Sequence, residues 1–159
     1  MLASFFIDSY AHSTEGVIGY SLGKKVKKYF LLAVSNSFKL SFTTGLIISI
    51  IYLLFFKFII NFLTDLDYLR FLSYSFFIWI VIIPPLASFC YQYDGIFIGA
   101  SQTKDMRNSM IISFLVFIYV SIILTKILNN HGLWLSLLVF MIMRSLTLRF
   151  CFPNIIKKL

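Results

Sequence analysis

Long apolar runs separated by short charged segments are the feature that most constrains this chain. A transmembrane helix needs about 20 largely apolar residues, and five segments approach or exceed that length, at about 2-22, 40-60, 71-100, 109-126 and 132-150. The mean hydropathy of +0.91 and the 60% share of hydrophobic residues exceed those of ordinary soluble domains. The sequence therefore predicts an all-α integral membrane protein with about five transmembrane helices.

The net charge of +8 raises the alternative of nucleic-acid binding. The basic residues stand between bilayer spans, where they form no continuous face, so we expect no nucleic-acid partner. Lys and Arg concentrate in cytoplasmic loops, and eleven of the 14 occur in alternate segments: Lys24, Lys25, Lys27, Lys28, Lys39, Lys104, Arg107, Arg144, Arg149, Lys157 and Lys158. This predicts a multi-pass protein embedded in the lipid bilayer, with an outside N-terminus and a cytoplasmic C-terminus.

The first residues, MLASFFIDSY, contain no basic region and reach an acid at Asp8. We therefore expect no cleaved signal peptide and a chain that begins inside a span. Cys90 and Cys151 lie far apart, and neither they nor His12 and His131 have the spacing of metal ligands. No metal site and no disulfide framework are predicted.

The third span contains Pro84-Pro85 near its middle. Proline has no backbone N–H, so it removes helical hydrogen bonds and should kink or unwind the helix there. A straight helix over residues 71–100, at about 1.5 Å per residue, would also exceed a bilayer core of about 30 Å. A bend at the two prolines is predicted.

The first and third spans end alike. Each has an acid, a Gly-x-x-x-Gly pair and then a basic cluster: Glu15 with Gly19 and Gly23, and Asp94 with Gly95 and Gly99. The acids stand nine or ten residues before the basic cluster, which at about 1.5 Å per residue is roughly 14 Å and predicts a position near mid-bilayer. The glycines are suited either to close helix packing or to local unwinding beside a cavity.

A carboxylate at that depth either takes a proton or pairs with a cation, because an isolated charge in lipid is unfavourable. This is the chemistry of an ion-coupled carrier, and Asp94, beside a proline-containing helix, is the main candidate. The alternative is an acid fixed structurally by a neighbouring Tyr or Lys. Tyr91 and Tyr93 flank Asp94 and are the aromatic residues expected to meet a substrate or to hydrogen-bond the acid.

Asp8, His12 and Glu15 are spaced so that they share one face of the first helix. That face is suited to line a cavity, with Glu15 as the deeper, better candidate. The alternative is that the first turns lie in the interface and that Asp8 and His12 are solvated. The segment from Lys104 to Asn108 is expected to be a short cytoplasmic turn that orients the next helix.

Three stretches resemble the multidrug and toxic compound extrusion (MATE) transporters, specifically their DinF-type branch. YQYDGIFIGASQTKDMRNSM, residues 91–110, is similar to the signature around that branch's tenth helix. FIDSYAHSTEGVIGYSLGKK is similar to the eighth helix and its cytoplasmic end, and NHGLWLSLLVFMIMRSLTL to the last helix. The resemblance covers nearly the whole chain and implies helices eight to twelve, a partial C-terminal lobe of a fold with twelve helices in two lobes.

The resemblance implies part of an efflux antiporter that exports organic, often cationic, compounds in exchange for H+ or Na+. It implies no other cofactor and no covalent chemistry, so the chain is not expected to be an enzyme. Asp94 matches an acid that contributes to cation binding in related branches, whereas Glu15 matches a position without an assigned role. Alternatives are a truncated or split-gene remnant without autonomous transport, its N-terminal lobe separately encoded, and a lipid-linked sugar flippase of the same superfamily.

Overall fold

The computed structural model describes the backbone of residues 2–157 and the side chains of residues 4–157, so Lys158 of the basic tail lies outside it. The described chain forms six helices: α1 (Leu2–Gly23), α2 (Lys27–Leu63), α3 (Asp67–Ser75), α4 (Phe77–Gly99), α5 (Thr103–Leu128) and α6 (Asn130–Ile156). All regular elements in this part of the chain are helical, which confirms the all-α prediction.

Four of the described helices, α2, α4, α5 and α6, are long and apolar enough to cross a membrane. This confirms a multi-pass membrane protein, but the sequence predicted about five spans. The difference is α1, which is 22 residues long yet contains Asp8, His12 and Glu15. Its length suffices for a bilayer, whereas its composition requires that part of its surface contact protein or water rather than lipid.

Helix α2 begins well before the predicted span at residues 40-60. It contains 37 residues, which corresponds to about 55 Å at 1.5 Å per residue. Lys39, expected in a loop, therefore lies inside the helix, where it is exposed. The helix exceeds the bilayer core of about 30 Å, so its first three turns, which include Lys27 and Lys28, have room to lie outside the core.

The predicted helix at residues 71-100 is two helices, and the break is not at the prolines. α3 ends and α4 begins around Phe76, whereas Pro84 and Pro85 lie inside a continuous α4. Pro85 leaves the carbonyl oxygen of Val81, four residues earlier, without its helical donor. The Ser49 hydroxyl of α2 donates to that oxygen at 2.6 Å. The neighbouring helix thus supplies the hydrogen bond that Pro85 removes, and α4 remains helical through both prolines.

A stripe of small residues on α2 makes this close approach possible. Ser41, Gly45 and Ser49 recur every four residues on one face, and all three are buried. A Cβ atom added at Gly45 would lie 3.0 Å from the carbonyl oxygen of Pro84, so the two helix backbones are nearly in contact. Small residues at this spacing are the usual means of close packing between membrane helices.

Helices α1 and α4 end in the same type of turn. After α1, Lys25 has a φ of 54°, and the N–H groups of Lys25 and Val26 donate back to the carbonyls of Leu22 and Ser21. After α4, Ser101 has a φ of 55°, and the equivalent bonds join residues 101 and 102 to residues 98 and 97. Both are Schellman motifs, so the similarity of these two helix ends extends to their backbone geometry.

The main hydrophobic core lies at the end of the bundle where these two turns occur. Buried side chains from α1, α2, α4 and α6 meet there: Ile18, Phe30, Val34, Tyr93, Ile96, Phe97, Leu148 and Ile155. Because the core joins the last turns of α1, α4 and α6 to the first turns of α2, the basic segments beside them share one end of the molecule. We call this the basic end.

Candidate functional site

Asp94 of α4 forms an ion pair with Arg144 of α6. Its Oδ1 atom lies 3.0 Å from Arg144 Nη2, and both side chains are only 13% exposed. Within the described part of the chain, Asp94 Oδ1 and Arg144 Nε nevertheless lack a hydrogen-bond partner of acceptable geometry. The two charges therefore neutralise each other inside the helix bundle, while their polar atoms are incompletely satisfied.

Arg144 is the functional candidate that sequence reasoning missed. It was assigned to the basic cytoplasmic tail, or to an interface reached by an extended side chain, but it lies in the interior of α6 and points at α4. Buried charges in a membrane protein pair with one another. An Arg and an Asp, each isolated in an apolar run, were the signal that could have predicted this pair.

The structure also revises the depth of Asp94. The estimate of mid-bilayer depth counted residues from Asp94 to the basic cluster at Lys104. Helix α4 ends at Gly99, five residues after Asp94, which is about 8 Å along the helix axis. Asp94 therefore lies nearer to the basic end than the sequence estimate of about 14 Å indicated.

The predicted polar face of α1 exists but lies on the outside of the described bundle. His12 Nε2 is 3.4 Å from Asp8 Oδ2, and His12 Nδ1 is 3.9 Å from Glu15 Oε2. All three side chains are substantially exposed, His12 most of all at 72%. Among the charged groups of the described residues, Glu15 lies near only the exposed His12.

Tyr91 and Tyr93 point to different sides of α4, and in the described residues neither hydrogen-bonds Asp94. Tyr91 lines a cavity of about 270 Å³ together with Pro84, Trp134 and side chains of α1 and α2. Tyr93 is buried in the core, where its ring packs edge-on against Phe38 at 4.9 Å. Tyr93 also borders a second cavity, of about 280 Å³, together with Phe89 and Arg149, so each tyrosine adjoins an open space on its own side of α4.

The glycines of the two Gly-x-x-x-Gly pairs differ in their surroundings. A Cβ atom at Gly95 would overlap the carbonyl oxygen of Ala11, and one at Gly99 would lie 2.5 Å from the carbonyl oxygen of Glu15. A Cβ atom at Gly19 would lie at an ordinary 3.4 Å from the carbonyl oxygen of Gly99, and one at Gly23 would have nothing within 4 Å. Close packing of α1 against α4 therefore depends on Gly95, directly after Asp94, and on Gly99, about one turn further along α4.

A buried polar contact that the sequence did not indicate also joins α1 to α4. The Thr14 hydroxyl lies 2.9 Å from Gln92 Oε1 and 2.7 Å from the carbonyl oxygen of Tyr10. A hydroxyl has one hydrogen, so it donates to one of these oxygens at a time. Gln92 is fully buried, and its amide nitrogen lacks a partner in the part of the chain that the structure describes.

The arrangement is suited to binding or exchanging a cation rather than to covalent chemistry. Among the described residues, no three His, Cys, Asp or Glu side chains come together as a metal site. What the geometry offers is one buried carboxylate, one displaceable guanidinium and an adjoining cavity, supplied by helices that pack through glycine.

Comparison with known proteins agrees with this architecture. The MatE family matches residues 1–125. DNA damage-inducible protein F of Escherichia coli (strain K12) is 34% identical over 145 residues, which is 91% of this chain and 31% of that protein. The chain therefore spans about a third of the length of this curated relative, and no solved structure matches it. Both findings confirm the predicted DinF-type resemblance, and the chain belongs to the MatE family of membrane transporters.

Proposed function

We propose that this chain is part of a MATE-type antiporter that exports organic, often cationic, compounds in exchange for H+ or Na+. The observation that carries the proposal is the buried Asp94–Arg144 pair, at 3.0 Å, inside the helix bundle of a MatE family member. A carboxylate held in a membrane bundle binds cations strongly when its partner moves away, because water is not available to replace that partner.

The location of Asp94 supports a role in exchange rather than in static packing. The acid belongs to α4, which packs mainly against α1, α2 and α6, so Asp94 stands where several helices meet. The cavity of about 270 Å³ beside Tyr91 provides space for the apolar part of a compound whose charge interacts with Asp94. This combination of apolar walls and one convergent charged group is typical of ligand sites.

The partners of the chain are the lipid bilayer, an organic substrate and a facing set of helices. The chain spans 31% of the length of its E. coli relative, and the exposed polar face of α1 requires something other than lipid against it. We propose that a second, N-terminal lobe, possessed by the same or a separate polypeptide, covers this face. Without that lobe, we expect the chain to insert into the membrane but not to transport.

The orientation that we propose places the basic end and the C-terminus in the cytoplasm of a bacterial inner membrane. Lys24, Lys25, Lys104 and Arg107 flank the two turns that share the core at this end, and Lys and Arg are retained on the cytoplasmic side. A reporter fused after the last residue should be active only if it is cytoplasmic. Activity of a periplasmic reporter at that position would reverse the orientation.

Dye efflux tests the transport proposal. The chain is expressed alone or with the N-terminal part of the E. coli relative that it does not match, and ethidium accumulation is measured in cells. We expect efflux only in the second case, with loss of efflux in Asp94→Asn. Asp65→Asn is the matched control, because Asp65 is fully exposed and should not affect transport.

Absence of efflux in both cases, with both polypeptides inserted and folded, would contradict the transport proposal and favour a remnant without autonomous transport. No feature of the structure favours a lipid-linked sugar flippase over export of organic compounds.

A further inference from the structure

Asp94 already holds a cation that belongs to the chain itself. The Arg144 guanidinium lies 3.0 Å from the Asp94 carboxylate, and the two side chains come from different helices, α4 and α6. Any other cation that binds Asp94 must displace this guanidinium. Asp94 therefore differs from an open carboxylate, because binding of a second cation depends on competition with Arg144 as well as on attraction to the acid.

The pair is held less firmly than a structural salt bridge of ideal geometry. A bidentate Arg–carboxylate pair uses two parallel N–H···O bonds. Here the closest approach joins Nη2 to Asp94 Oδ1 at 3.0 Å, while Nε of Arg144 lacks a hydrogen-bond partner among the described residues. Buried charges that are incompletely hydrogen-bonded gain little from their attraction after desolvation. The guanidinium is therefore a displaceable partner.

The side chains around the Asp94–Arg144 pair determine which cation can displace the guanidinium. Tyr91 stands three residues before Asp94, and Met141 three residues before Arg144, so each lies one turn away on the same helix face. Both line the cavity of about 270 Å³, whose walls are mainly apolar.

We propose that Arg144 is a tethered cation that competes for Asp94 and sets the cation specificity of the site. The ligand that succeeds is an organic cation whose apolar body fills the cavity beside Tyr91, since burial of that body offsets the loss of the ion pair. A small metal cation has no such compensation. It requires several oxygen ligands, and Asp94 lies in no three-member acid, His or Cys cluster of the described chain.

This inference rests on the proposed function, which makes Asp94 a cation site, but binding tests it separately from transport. The chain, together with its N-terminal complement, is purified in nanodiscs, and binding of tetraphenylphosphonium is measured by equilibrium dialysis with and without Na+. In Arg144→Gln, we expect tighter tetraphenylphosphonium binding by about tenfold or more, equivalent to about 1.4 kcal/mol. Na+ should weaken this binding in the variant but not in the unaltered protein.

Arg149→Gln is the matched control. Arg149 lies on the same helix, one turn beyond Arg144, but is exposed and donates to Tyr93 at 3.4 Å rather than to an acid. Its substitution should leave tetraphenylphosphonium affinity unchanged. Asp94→Asn should abolish the gain when combined with Arg144→Gln, because the carboxylate for which the cations compete is then absent.

A second variant keeps the proposal testable if Arg144→Gln does not fold. Arg144→Lys retains a competing charge but has no planar fork, so we expect an intermediate gain in affinity. Unchanged or weaker tetraphenylphosphonium binding in a folded Arg144→Gln protein, or in Arg144→Lys if the first variant fails to fold, would overturn the inference. Tighter tetraphenylphosphonium binding in Arg144→Gln without ethidium efflux would instead overturn the proposed function, while the competition between Arg144 and the organic cation would stand.

Discussion

The two ends of the helix bundle are built on different principles. At the basic end, Ile18, Phe30 and Ile96 are completely buried in a core formed by four helices. At the opposite end, Phe62 is 83% exposed and α3 has no buried residue. Apolar side chains lose nothing by facing lipid. Hydrophobicity therefore does not distinguish the core of the basic end from α3 and the end of α2, whereas side-chain burial does.

Around α3, at the opposite end, polar contacts add to local packing such as that of Phe56 against Phe77, whose ring centroids are 4.5 Å apart. Arg70 of α3 donates through Nε to the carbonyl oxygen of Thr64 at 2.9 Å, which fixes the turn between α2 and α3. Trp79 donates to His131 Nδ1 at 3.0 Å and thereby joins α4 to α6. These few bonds position helix ends without a dense core, so each substitution there should have a smaller effect than a substitution in the core.

The largest loss is expected at the contact between α1 and α4. Gly95→Ala places a Cβ atom against the Ala11 carbonyl, and the helices must separate, which should reduce the free energy of unfolding by about 3 kcal/mol or more. Unfolding in mixed micelles with increasing SDS measures the change. Gly16→Ala is the control, since nothing lies within 4 Å of that position, and an equal loss in both variants would contradict the packing role.

Removal of one ring from each end tests the difference in packing directly. Phe97→Ala, at 0% exposure, should reduce the free energy of unfolding by about 2–3 kcal/mol, because the surrounding side chains lose their dispersion contacts. Phe62→Ala removes the same atoms from a ring that faces outward, and should change the free energy of unfolding by less than about 0.5 kcal/mol. SDS unfolding of both proteins provides the comparison, which fails if the two losses are similar.

The hydroxyl that compensates the proline should have a moderate effect. Ser49→Ala leaves the Val81 carbonyl without a donor and should reduce the free energy of unfolding by about 1–2 kcal/mol. Pro85→Ala restores an N–H group at the helical position, so we expect Ser49→Ala to have little effect in that background. The same SDS titration on the four proteins of this cycle measures the coupling, and a coupling of zero would contradict the compensation.

The smallest effect is expected at the turn between α2 and α3. Arg70→Ala removes the bond to Thr64 and three long contacts, each 3.4 Å, with the Asn61 carbonyl and with the exposed Asp65 and Asp67. Exposed ion pairs contribute little, so the loss should be about 1 kcal/mol or less. Lys57→Ala is a suitable reference variant on α2. A loss at Arg70 as large as that in Phe97→Ala would show that this end is not loosely built.

Helix content could be predicted from the sequence because it depends on local composition. Apolar runs of bilayer length predicted α5 and α6 to within six residues at each end, and Gly95-x-x-x-Gly99 indicated a close helix contact. The continuity of α4 through its two prolines, with the break at Phe76 instead, was not predictable in the same way. Proline usually interrupts a helix, but Ser49, more than 30 residues earlier, supplies the missing hydrogen bond.

The partner of Asp94 was missed for a similar reason. Arg144 lies 50 residues away, and a charge count along the chain treats every Arg near a span end as a topological signal. Only the packing of α4 against α6 brings the two groups to 3.0 Å. An Asp and an Arg isolated in apolar runs indicate that each needs a partner, but hydropathy and spacing do not say which helices meet.

The bond from Ser49 to Val81 also constrains how the chain is assembled in the membrane. If α4 entered lipid alone, the Val81 carbonyl would have no donor, and an unsatisfied carbonyl in hydrocarbon costs several kcal/mol. Synthesis proceeds from the N-terminus, so α2, which contains the donor, leaves the ribosome before α4 does. The order of the helices along the chain therefore allows α2 to act as an intramolecular chaperone for the proline-containing helix.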